Sequence, residues 1–139
     1  MPTSFPTRAR RLAAAGFTLI ELIVVTALII VLTTVAMVSY QNSVTRAREA
    51  VLKEDLFRLR DAIDQYYADK NKWPGSLEDL VTDGYVREIP KDPMTASADS
   101  WQTVPAEADP ANPAAEPGVF DVKSGSERMA LDGTPYTEW

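Results

Sequence analysis

The sequence predicts an α+β protein in which one long N-terminal helix, apolar in its first half and amphipathic in its second, packs on a small head. The head should hold a short helix and a few short strands. Three observations predict this. Phe17 to Val38 is apolar apart from threonines and Glu21. Leu52, Leu56, Leu59, Ile63 and Tyr66 then follow at intervals of four, three, four and three residues. Past Asn71 the chain changes to Pro, Gly and short β-prone stretches.

The first half of the helix is long enough to span a bilayer. Its 22 residues, at about 1.5 Å each, reach roughly 33 Å against a hydrocarbon core of about 30 Å. Arg8, Arg10 and Arg11 precede it, so the N-terminal end should remain cytoplasmic and the rest of the chain should lie on the far side. A cleaved secretory signal fits less well. That reading expects a shorter, charge-free core with its cut site behind it, whereas Ala13-Ala14-Ala15-Gly16 stands in front of the apolar run. Glu21 is the one charge between Phe17 and Tyr40. A carboxylate at that depth normally requires a partner, and its own helix supplies none.

The second half continues without interruption, since no Gly or Pro occurs from Phe17 to Asn71. A single helix of about 54 residues, roughly 80 Å long, is expected. Arg48, Glu49, Lys53, Glu54, Arg58, Arg60, Asp61 and Asp64 fill its other faces. Two pairs, Glu54 with Arg58 and Arg60 with Asp64, stand four apart. The heptad-like spacing also admits a coiled coil, although five positions are few for one.

Asn71-Lys72-Trp73-Pro74-Gly75 stops the helix. Ser76-Leu77-Glu78-Asp79 reads as a capping box opening a short helix that ends near Gly84. Trp101 to Val104 and Val119 to Val122 read as strands. Pro105, Pro110, Pro113 and Pro117 make the stretch between them mostly loop. Trp139 reads as a core plug rather than a ligand platform.

Composition excludes several functions. The chain has 139 residues with no Cys and no His, which removes disulfides, thiolate nucleophiles, the usual zinc ligands and the neutral-pH proton shuttle. Asp92, Asp132 and Glu138 are carboxylates that nothing marks as a catalytic pair, so no catalytic residue is expected. Eleven basic against twenty acidic residues follow Gly16. Such an acidic surface suits solubility and argues against nucleic acid.

Gly16-Phe17-Thr18-Leu19-Ile20-Glu21-Leu22 behind a short basic leader resembles the N-terminal signature of type IV pilins and of the pseudopilins of type II secretion. The resemblance implies a leader over residues 1–16, a transmembrane and assembly half over 17–40, and a periplasmic head over 41–139 that includes the amphipathic half of the helix. It implies cleavage by a prepilin peptidase between Gly16 and Phe17 and methylation of the new N-terminus at Phe17. It also implies assembly through the Phe17 amine, which meets Glu21 of a neighbouring subunit. Ile30 and Val38 stand where many members carry a Gly and a Pro, which puts local melting of the helix in doubt.

Tyr85 to Pro93 is similar to the connection in pseudopilin heads between a minor helix and a small antiparallel sheet. The likeness is greater to the major pseudopilin than to pilins, which usually close the C-terminal loop with a disulfide. The implied function is a structural subunit of a periplasmic pseudopilus, held in the bacterial inner membrane before assembly. Its implied partners are further copies of itself, the prepilin peptidase, an assembly ATPase with its inner-membrane platform, and minor pseudopilins. An extracellular type IV pilus is the alternative, and a membrane-anchored module that never polymerises is a third. Major pseudopilins carry calcium near this C-terminus, which would draw on Ser124, Ser126, Glu127 and Asp132. Their spacing matches no calcium motif, and Asp132-Gly133 is equally a turn signal.

Overall fold

The computed structural model describes residues 16–107 and 117–139. The expected leader, apart from Gly16, and the loop prolines Pro110 and Pro113 lie outside the described residues. Helix α1 runs from Leu19 to Lys70. At its start the Glu21 amide donates to Thr18 Oγ1 at 3.2 Å, occupying one of the donors a helix N-terminus leaves unpaired. At its end Asn71 takes a positive φ of 51° and donates to the Tyr67 carbonyl. Asn tolerates that conformation better than most residues.

The chain divides into two compact units between Val38 and Ser39. In the first, α1 is unbroken through Ile30 and is apolar and exposed all round. The hydroxyls of Thr26, Thr33 and Thr34 donate to the carbonyls of Leu22, Ile29 and Ile30 at 2.7 to 2.8 Å, so these threonines carry no unsatisfied donor into an apolar medium. This part of the helix is long and apolar enough to cross a membrane.

In the second unit the apolar stripe becomes the core. Leu52, Leu56, Leu59, Ile63 and Tyr66 are all buried, joined by Ala62, Leu77, Leu80, Trp101, Val119, Val122 and Tyr136. Helix α2, Leu77–Thr82, is capped at Ser76, with Asp79 Oδ2 accepting from the amides of Gly75 and Ser76. Strands β1, Gln102–Pro105, and β2, Val119–Lys123, form a two-stranded antiparallel sheet with Thr103 opposite Val122 and an irregularity between Val104 and Pro105. That irregularity breaks strict alternation along β2, so Val119 and Val122 are both buried while Phe120 is exposed. Trp101 lies just before β1 instead of inside it, its indole donating to the Pro90 carbonyl.

Local spacing paired Arg60 with Asp64, and the fold corrects this. Arg60 Nε donates to Asp121 at 2.6 Å, and its Nη2 bonds the carbonyls of Val122 and Trp139. A planar guanidinium bonds several acceptors at once, so the long-range set prevails over one exposed carboxylate a turn away. Glu54 and Arg58 do pair as spaced, on the solvent side.

Candidate functional site

Two places carry the chemistry that the sequence singles out. The first is the start of α1, where Phe17 is 80% exposed and Glu21 is exposed among apolar side chains. Among the described residues the Glu21 carboxylate receives no hydrogen bond and no ion pair, although its own amide is satisfied by Thr18. Among the described residues that carboxylate therefore remains available to a partner.

The second is the C-terminal stretch from β2 onward, which several side chains tie down. Glu49 Oε1 accepts from the Leu131 amide and the Tyr136 hydroxyl, and burial together with that carboxylate pushes the Tyr136 phenol up to about 12. Ser124 and Ser126 are buried, the first donating to the fully buried Asp92. Asp132 is exposed and sits in a separate hydrogen-bond set. Its Oδ1 accepts from the amide and hydroxyl of Thr134, which holds its carboxyl below the usual range. Gly133, at φ 87°, completes this turn. Trp139 is half-buried, edge-on to Tyr136 and under the ammonium of Lys53.

These placements decide how the residues suit calcium. Ser124 and Ser126 face inward and Asp132 faces out, each already engaged. Among the described residues no three acidic side chains gather in one place. Calcium needs six to eight convergent oxygens, and the side chains of Ser124, Ser126 and Asp132, buried and exposed in separate hydrogen-bond sets, do not converge to supply them. The Asp-Gly turn accounts for Asp132.

No family model matches the chain, and no solved structure matches it. Among characterised proteins, the type II secretion system core protein G of Pectobacterium carotovorum is 30% identical over 88% of this chain and 80% of its own length. The chain belongs to that family. The core protein G of Klebsiella michiganensis is 28% identical over 60% of this pseudopilin and 70% of its own length. The type IV major pilin of Neisseria gonorrhoeae is 41% identical, but over only 42% of this pseudopilin and 36% of its own length. The Pectobacterium relative thus matches over most of the chain, while the pilin match covers less than half of it.

One functional group in the head of this pseudopilin escaped the sequence reading. Asp55 is 9% exposed and has no hydrogen-bond donor among the described residues, and it opens into a groove beside Ala62, Tyr85 and Pro90. Burial raises its pKa above the usual carboxylate value, opposed by the nearby Arg58. A carboxylate whose pKa is raised on folding costs stability once pH exceeds its unfolded value, and regains it on protonation. Asp55→Asn should therefore raise the Tm of the head at pH 7, with the gain fading as pH falls below the folded pKa. Thermal melts of both proteins across that pH range check this.

Proposed function

We propose that this chain is a structural subunit of the pseudopilus of a type II protein secretion system, polymerising through the apolar half of α1. The observation that carries the reading is Glu21, an exposed carboxylate that has no partner among the described residues, on an exposed apolar helix. Similarity to core protein G over most of the chain supports it. A monomer gains nothing from an unpaired charge at that depth. A filament gains a register, because cleavage after Gly16 creates an amine at Phe17 that a neighbour's Glu21 can neutralise.

In this reading residues 1–16 are a leader removed by prepilin peptidase, which also methylates Phe17. Residues 17–40 hold the subunit in the inner membrane until an assembly ATPase and its platform add it to the filament. Residues 41–139 form the periplasmic head, and minor pseudopilins complete the tip. Mass spectrometry of the membrane-purified protein should find Phe17 as the first residue, with the mass of one added methyl group. A first residue beyond Tyr40 would overturn the proposal.

A further inference from the structure

Asp92 is fully buried on the loop between α2 and β1, and among the described residues no basic side chain bonds to it. Its donors are all neutral. Oδ2 accepts from the Ser124 hydroxyl at 2.6 Å and the Gly125 amide at 3.3 Å, and Oδ1 accepts from the Met94 amide at 2.7 Å. The order continues outward along the chain. Ser124 Oγ accepts from the Ser126 amide, and Ser126 Oγ accepts from the Arg128 amide. Arg128 Nη2 then returns to the Met94 carbonyl at 2.9 Å. One closed set of hydrogen bonds therefore joins the loop at Asp92 to the segment after β2.

We propose that this network closes the C-terminal segment of the head without a divalent cation, Asp92 acting as the positioning residue at its centre. A cation joins loops by offering positive charge to several oxygens at once. Here the geometry is the converse. A buried negative charge is presented to amide and hydroxyl donors from both segments, and bonds of that kind are the stronger ones because the acceptor is ionised. Both oxygens of Asp92 are occupied, and Ser124 is fully buried beneath them. The Arg128 guanidinium on the Met94 carbonyl adds positive charge beside the network and opposes a cation there. The one other carboxylate that acts on Asp92, Asp55, forms no hydrogen bond with it among the described residues. An ion would have to break the network to enter it. The proposal is independent of whether the chain forms a filament.

The test is thermal unfolding of the full chain in detergent micelles, followed by tryptophan fluorescence, since Trp73, Trp101 and Trp139 all lie in the head. Melts are run with excess calcium, with excess magnesium as ionic control, and with EDTA. The wild-type Tm should be the same in all three. Asp92→Asn and Ser124→Ala should each lower it by roughly 5 to 10 °C, and calcium should restore neither. A wild-type Tm that rises with calcium but not magnesium overturns the proposal, as do wild-type melts from both variants. Should Asp92→Asn fail to fold, the wild-type cation series and Ser124→Ala still decide the matter.

Discussion

Cells whose only copy of this chain carries Glu21→Gln should process it normally, hold it in the membrane, and yield almost no sheared filament. Insertion does not depend on the charge, since removing it makes the span more apolar and spares the cost of about 2.5 to 3.5 kcal/mol that insertion scales assign to a charged residue at the centre of a bilayer. In the proposed filament, assembly does depend on it. Each incoming subunit would bring the ammonium at Phe17 against an amide, and a charge left unpaired in an apolar bundle costs several kcal/mol. With every 1.4 kcal/mol worth a factor of ten in affinity, a loss of about 3 kcal/mol at each contact weakens every step more than a hundredfold. Gln keeps the shape and most of the hydrogen bonding of Glu, so packing is spared and charge alone is tested. Sheared filament from the variant at the wild-type level would remove the register role from Glu21. Processed monomer accumulating in the membrane, with the sheared fraction below about a tenth of wild type, is the expected result.

The helix was legible because its signal is local and repeated. The stripe from Leu52 to Tyr66 is buried at each of its five positions, and the Ser76 to Asp79 start of α2 and both strands fall within a residue or so of where the sequence put them. What escaped were polar residues with distant partners. Asp55 is three residues after Leu52 and four before Leu59, so the stripe itself places it on the buried side, and only its residue type hid it. Glu49, three residues before Leu52, lies on the same face and anchors Tyr136, a partner 87 residues away. Arg60 finds Asp121 at a separation of 61 residues, and no rule of helical spacing encodes that. Asp92 sits between Lys91 and Pro93 in a stretch that reads as a turn, and nothing local marks it for burial. Periodicity reports which face is apolar. It does not report which charges the far end of the chain will fold back to meet.

Gly125→Ala should damage the head more than its modest change in size implies. The position does not require the left-handed backbone that glycine favours, since the positive-φ glycines in the described residues are Gly84 and Gly133. The constraint at Gly125 is instead one of approach. A Cβ built there would stand 1.8 Å from the Ser100 carbonyl oxygen and 2.9 Å from its carbon, both backbone atoms that no rotamer change can move aside. The segment after β2 would have to withdraw from the loop carrying Ser100. Withdrawal also stretches the amide of Gly125 from Asp92 Oδ2, already 3.3 Å away, so overpacking and loss of a hydrogen bond to a buried carboxylate combine. Overpacking alone costs typically 1 to 3 kcal/mol, and the lost charge-assisted bond about 1.5 to 3 more. Together they place the loss near 4 kcal/mol, a large share of the 5 to 15 kcal/mol that holds a typical domain folded. At about 4 to 8 °C per kcal/mol for a domain of this size, the Tm of the full chain should fall by roughly 15 to 30 °C. Gly133→Ala is the matched control. Its Cβ meets open space, leaving only the conformational cost of φ 87°, about 1 to 2 kcal/mol. Equal losses from the two substitutions would show that Gly125 is not pinned against Ser100.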